Sequence, residues 1–135
     1  MKGSISFKEN ASHFISTILK TNKEVIFLQD IPDLDFNINS CFNVRPLRLP
    51  FHQVRKNCWI DFAAYKNRTA PYDKVINELL ETLPQVKSFD PRPLFCNKDK
   101  CYARDAQFPY YVNADHLNQY GANLVIKNMR RMTYS

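Results

Sequence analysis

The sequence predicts an α/β domain with a short, mainly parallel sheet flanked by helices. Residues 24–29 form an apolar run of β-forming residues without alternation, which is typical of a strand buried on both faces of a parallel sheet. Apolar residues with a helical period precede this run and recur in later segments. The 135 residues are 44% hydrophobic and 24% charged, which indicates one ordinary globular domain.

The first half of the chain predicts two helices. Asn10 is a suitable N-cap for a helix from about 11 to 21. Its core face is predicted to contain Phe14, Ile15, Ile18 and Leu19. A second helix is predicted from about 51 to 67, with Val54, Cys58, Phe62 and Tyr65 along one stripe.

The second half predicts two more helices and a strand. Thr69 and Pro71 open a helix that Pro84 ends. Residues 86–89 are predicted as a second short strand, and residues 94–103 as a small hairpin or a loop. Asn118 caps the final helix. The predicted core face of that helix consists of Tyr120, Leu124, Val125, Met129 and Met132.

Composition excludes several classes of function. No apolar run reaches the roughly 18–20 residues that span a bilayer. The two glycines exclude Gly-rich loops that cradle phosphates. The net charge of +6 permits contact with nucleic acid, anionic lipid or acidic glycan, but the basic residues are scattered. We therefore expect a solvated basic surface and no nucleic-acid partner, and Arg45, Arg48 and Arg55 are candidates to line a groove for an anionic saccharide.

The four cysteines indicate a disulfide rather than a metal site. Cys96 and Cys101 are separated by four polar residues, as in a short loop closed by a disulfide. A zinc site needs a second Cys/His pair at similar spacing, and the sequence has none. Cys58 is predicted to be a buried apolar residue on a helix face, whereas Cys41 is left as free or paired. We expect no metal and no cofactor.

His116 is the strongest candidate for chemistry. It lies in a turn between a predicted extended segment and the capped final helix, where an α/β domain can present a general base. Asn113, three residues before it, can reach Nδ1 and fix the tautomer of the ring. Asp115 adjoins it. A surface histidine near a helix N-terminus is the alternative.

The segment from Tyr110 to Ala122 resembles the last conserved block of SGNH (GDSL-type) hydrolases. It is most similar to SGNH domains attached to acyltransferase-3 type membrane O-acetyltransferases of bacterial surface polysaccharides. That block reads D-x-x-H-L-[ST]-x-x-G-A, and it is matched by His116, Leu117, Gly121 and Ala122, with Asn118 in place of Ser or Thr. The segment from Lys23 to Pro32, Cys41 before Arg45-Pro46 and the Cys96–Cys101 pair follow the family order.

The resemblance implies an incomplete flavodoxin-like three-layer fold. It also implies an acyltransferase or esterase that modifies a surface polysaccharide such as lipopolysaccharide by O-acetylation, with His116 as the general base. The family aspartate position is Asn113, for which Asp115 is a possible substitute. The block with the nucleophilic serine has no counterpart, so residues 1–135 are predicted to be one partial SGNH domain, its C-terminal portion, which is inactive or incomplete alone.

The expected location is the periplasmic side of the inner membrane, reached through the parent protein because residues 1–10 lack the apolar core of a signal peptide. The expected partners are the polysaccharide and an acyl donor delivered by the membrane acyltransferase region. The alternative is a non-catalytic interaction module with the same fold. A basic nucleic-acid binder is a third hypothesis.

Overall fold

The computed structural model describes residues 2–42 and 54–133. Within them lie three helices and four strands, in the following order: α1 Lys2–Leu19, β1 Ile26–Leu28, β2 Trp59–Asp61, α2 Phe62–Glu81, β3 Lys87–Phe89, β4 Lys100–Tyr102 and α3 Gln119–Thr133. Short 3₁₀ turns occupy Ile38–Cys41 and Arg92–Leu94. In these residues no helix combines the length and apolar character needed to cross a membrane.

The strands form two separate pairs. β1 and β3 are parallel, with Phe27 opposite Ser88, and β2 and β4 are antiparallel, with Ile60 opposite Cys101. The predicted α/β class and both predicted strands are therefore confirmed. Burial of the first strand on both faces was wrong, because the side chain of Leu28 is 48% exposed.

The chain divides into two compact units. The first contains Met1–Gln29 and Lys66–Asp90, and the second contains Asp30–Tyr65 and Pro91–Ser135. The buried core of the first unit comes from α1, α2 and the segment after α2; it consists of Ile15, Leu79 and Leu83, with Ala11, Leu19, Val25, Phe27 and Val86 packed against it. Since Phe27 contacts this core, the helices cover one face of the β1–β3 pair.

The core of the second unit forms around the inward face of the β2–β4 pair. Its buried members are Leu34, Ile38, Cys41, Ile60, Tyr65, Cys101, Ala103 and Tyr111. Two disulfides border this core, Cys41–Cys58 and Cys96–Cys101. The predicted Cys96–Cys101 bond is thus present. The prediction that Cys58 is a buried apolar residue on a helix face was wrong, because it lies before β2, is only partly buried and is bonded to Cys41.

The first helix starts earlier than predicted. Asn10 is not its N-cap but lies inside α1, where its side chain donates a hydrogen bond to Ser6. Lys8 pairs with Glu78 of α2, which holds the additional turns against the second helix. Phe14 was predicted to face the core, but its side chain is 66% exposed, whereas its neighbour Ile15 is buried.

The predicted helix over 51–67 was wrong in its first part. Residues 51–53 lie outside the described chain, residues 54–58 are not helical, and 59–61 form β2. Asp61 is the true N-cap of α2, since its Oδ1 accepts the backbone N–H of Ala64. The helix then continues through Pro71 instead of starting again there. Proline removes one hydrogen bond from a helix, and the rest of this 20-residue helix retains the helical period.

Candidate active site

His116 lies on a tight turn that is closed at both ends by backbone pairing. Tyr111 and Leu117 form an antiparallel bridge, and the N–H of Val112 donates to the carbonyl of His116 over 2.8 Å. Inside the turn, Oδ1 of Asn113 accepts the backbone N–H groups of Asp115 (3.0 Å) and His116 (2.8 Å). Asparagine is favoured in turns for this side-chain-to-backbone bonding. Hydrogen bonds between residues that are close in sequence therefore fix the backbone that presents the histidine.

The imidazole of His116 contacts two oxygen atoms through the same nitrogen. Its Nδ1 is 2.8 Å from Oδ1 of Asp115 and 3.2 Å from Oδ1 of Asn113. Both oxygens are acceptors, so these contacts assign the proton of the neutral ring to Nδ1. Nε2 then has a free lone pair, as a general base requires. The side chains of His116 and Asp115 are 72% and 63% exposed, so the ring is open to a reactant.

A buried tyrosine anchors the turn. Tyr111 is 2% exposed, and its hydroxyl donates to the carbonyl of Pro32 over 2.6 Å. Burial raises the pKa of this phenol well above its ordinary value. Two residues after Pro32, the N–H of Leu34 donates to the carbonyl of Ala114 over 2.7 Å. The segment around Pro32 is thus joined directly to the turn that presents His116.

Asn118 connects the same turn to helix α3. Its Oδ1 accepts the N–H of Gly121 over 3.0 Å, which is the predicted N-cap bond, and its Nδ2 donates to the carbonyl of Pro109 over 2.8 Å. Gly121 is required for a different reason. A Cβ at this position would lie 2.4 Å from the carbonyl oxygen of Tyr110, so only glycine permits the close approach of helix and turn.

Asp105 and Tyr120 form a further connection that the sequence did not indicate. The hydroxyl of Tyr120 donates to Oδ2 of Asp105, while Oδ1 accepts the N–H groups of Gln107 and Phe108. The Tyr120 hydrogen bond is the main cause of the lowered pKa of Asp105, with the two N–H groups next. The same bond raises the pKa of Tyr120. The sequence gives no signal for this contact, because Asp105 lies in a loop and Tyr120 lies 15 residues later on a helix, and no periodicity relates the two positions.

The structure brings together His116, Asn113 and Asp115, and the cap residue Asn118 lies at the end of the same turn. Among the described residues the imidazole of His116 is hydrogen-bonded to Asp115 and Asn113 and not to a serine hydroxyl. Among residues 2–42 and 54–133 there is also no group of three or more His, Cys, Asp and Glu placed to hold a metal.

The predicted arginine groove falls mainly outside the described residues. Arg45 and Arg48 lie outside the described residues. Arg55 donates from Nε to the carbonyl of Asn57, lies 3.7 Å from Asp35 and places its guanidinium 3.9 Å from the ring centre of Phe36. These contacts give Arg55 a role in holding the loop around the 3₁₀ turn at 38–41.

The fold and the turn define the class: an α/β domain that presents an oriented histidine just before a capped helix. The chain matches the family described as the SGNH domain (fused to AT3 domains) over residues 3–131, and it belongs to that family. No curated protein and no solved structure matches it. Membership confirms the predicted resemblance and associates the chain with acyltransferase and esterase function and with a membrane acyltransferase region.

Proposed function

We propose that this chain supplies the general-base part of an SGNH-type site for O-acyl transfer on a bacterial surface polysaccharide. The observation that supports it most is the orientation of His116, whose Nδ1 faces two oxygen acceptors. In the reaction a serine hydroxyl attacks the acyl carbonyl, and Nε2 of His116 takes the hydroxyl proton. The same nitrogen then returns the proton to the departing alkoxide, which leaves the acyl group on the serine.

In this proposal Asn113 fixes the turn and Asp115 orients the imidazole, two roles that a single aspartate has in the family pattern. The Oδ1 of Asn113 already accepts two backbone N–H groups and fixes the turn. The carboxylate of Asp115 is closer to Nδ1 than the amide oxygen is, 2.8 against 3.2 Å. A carboxylate stabilises the imidazolium that forms during the reaction, and a neutral amide does not. Asp115 is therefore the orienting group in this proposal.

The serine and the oxyanion donors come from the G-D-S block of an SGNH domain, which we place outside residues 1–135. In this proposal the chain is a partial domain that is inactive alone. Together with the rest of the SGNH domain it acts on the periplasmic side of the inner membrane, where the membrane acyltransferase region delivers the acyl group.

Hydrolysis of p-nitrophenyl acetate tests this assignment. The chain alone should hydrolyse the ester no faster than its His116→Ala variant. Joined behind an SGNH segment that contains the G-D-S strand, the chain should gain turnover that His116→Ala lowers by about 10²–10⁴-fold, the usual contribution of a general base. His13→Ala is the matched control, because His13 is an exposed histidine on α1. Equal turnover of the joined protein with and without His116 would contradict the proposal.

A non-catalytic interaction module is the second candidate. Phe7 and Phe14 lie seven residues apart, on one stripe of α1, and are 47% and 66% exposed. Such a stripe favours pairing with a second copy of the chain. Light scattering tests it: this function predicts a dimer that Phe14→Ser dissociates, and a monodisperse monomer at every concentration argues against it.

A further inference from the structure

The outward face of the β2–β4 pair has an unusual composition. Ile60 and Cys101 point inward, because they lie opposite each other and are buried at 5% and 0% exposure. Side chains alternate along a strand, so Trp59 and Tyr102, which also lie opposite each other, share the outward face. Outward positions of an antiparallel pair are normally polar. Two adjacent aromatic side chains at these positions therefore indicate a surface that binds something.

These two aromatic residues line a groove of about 460 Å³, a volume within the range of small-molecule sites. Its lining lies wholly in the second unit and includes Phe95, Tyr110, Arg104 and Asp105. The groove is thus built from the strand pair and the loop that follows it.

The polar groups around the groove are mainly hydrogen-bond donors. Lys100 borders the groove without lining it: its ammonium group lies 4.0 Å from the ring centre of Trp59, and it lies opposite Asp61 on the same outward face. Arg104 uses two of its five N–H groups on the carbonyls of Asp105 and Ala106, which leaves three in the described structure. Within residues 2–42 and 54–133 the one side-chain contact recorded for Trp59 is with Lys100, so its indole N–H has no hydrogen-bond acceptor there. Asp105, the acidic member of the lining, is already bonded to Tyr120 and to two backbone N–H groups.

We propose that this groove binds an acidic saccharide, a pyranose ring with a carboxylate substituent such as a hexuronic acid unit. The C–H face of a pyranose packs on aromatic rings such as Trp59 and Tyr102. Its hydroxyl and carboxylate oxygens accept from Lys100, Arg104 and the indole N–H, which matches the excess of donors. The inference rests on the proposed function for the expectation that the ligand is a glycan, and it adds the charge and the location of the binding unit.

The chain offers a direct measurement, because Trp59 is its single tryptophan. Titration of the purified chain with trigalacturonic acid should change the tryptophan emission to saturation. The neutral trisaccharide maltotriose should bind about tenfold more weakly, since it lacks the charge-assisted hydrogen bonds. Lys100→Gln should weaken trigalacturonate binding about tenfold as well. Lys98→Gln is the control, because Lys98 is an exposed lysine two residues away that, among the described residues, makes no cation–π contact with Trp59.

Three results overturn the proposal: an emission that does not respond to trigalacturonate, equal affinity for the two trisaccharides, or equal effects of Lys100→Gln and Lys98→Gln. Circular dichroism of each variant verifies that it is folded. The titration involves no acyl transfer, so its outcome is independent of the ester assay. If the chain binds trigalacturonate but the joined protein is inactive, the saccharide groove is supported and the proposed function is refuted. If the joined protein is active but the chain does not bind trigalacturonate, the proposed function is supported and the saccharide groove is refuted.

Discussion

Replacement of Gly121 by alanine tests how helix α3 is fitted against the turn that presents His116. The added Cβ would lie 2.4 Å from the carbonyl oxygen of Tyr110 and 3.0 Å from Cδ2 of Leu117. The closer neighbour is backbone, which cannot rotate away as a flexible side chain does. The helix must therefore move away from the turn, or the backbone at Tyr110 must shift.

The magnitude follows from two opposing contributions. Overpacking of a well-packed site typically costs about 1–3 kcal/mol, and contact with rigid backbone places this site at the upper end. Alanine inside a helix is more favourable than glycine by about 1 kcal/mol. We therefore expect Gly121→Ala to lower the free energy of unfolding by about 2 kcal/mol.

Urea denaturation followed by circular dichroism measures this difference. Asn123→Ala is the matched control, since Asn123 is exposed on the same helix and its replacement should raise stability by a few tenths of a kcal/mol. If Gly121→Ala is as stable as the original chain, the close approach of α3 to Tyr110 is not real and the reasoning is refuted.

Three further predictions concern the same region. Asn118→Ala should cost about 1 kcal/mol of unfolding free energy through loss of the helix cap, measurable by urea denaturation. Tyr111→Phe should cost about 1–3 kcal/mol in the same assay, because the carbonyl of Pro32 loses its buried donor, and no loss would contradict the anchor. The lowered pKa of Asp105 adds stability above its unfolded pKa, near 4, that disappears as pH falls through the folded value. The thermal midpoint of Asp105→Asn should thus differ from the original at pH 7 and converge with it in acid; a difference independent of pH contradicts this.

The parts of the fold that the sequence predicted are those determined by local chemistry. The first parallel strand was recognisable as a short run of β-forming residues, although its predicted burial on both faces was wrong. The final helix was recognisable because Asn118 is a good cap before an apolar period. The turn at Asn113 and the Cys96–Cys101 loop likewise depend on residues that are close in sequence.

The errors occurred where distant contacts decide the structure. β2 forms because it pairs with β4, about 40 residues away. This pairing outweighs the helical period of the apolar residues that predicted a helix over 51–67. The start of α1 was missed because Lys8 is paired with Glu78 on another helix. The Cys41–Cys58 bond was not predicted because spacing alone does not determine which cysteines pair.

The sequence predicted that His116, Asn113 and Asp115 share a turn, but it did not predict their contacts. The sequence placed His116 in a turn with Asn113 and Asp115 nearby. Adjacent side chains rarely point toward one another, so Asp115 was the weaker choice for contact with the ring. The closure of the turn by the Tyr111–Leu117 bridge directs both side chains to the same nitrogen, and that geometry follows only from the folded chain.

The tautomer of His116 tests the central claim most directly. A free neutral imidazole in water favours the proton on Nε2, whereas contact of Nδ1 with Asp115 and Asn113 requires it on Nδ1. Long-range ¹H–¹⁵N correlation spectra of the chain, recorded well above the ordinary histidine pKa, distinguish the two forms. The account predicts a Nδ1–H tautomer that Asp115→Ala shifts toward Nε2–H. A Nε2–H tautomer in the original chain would contradict it.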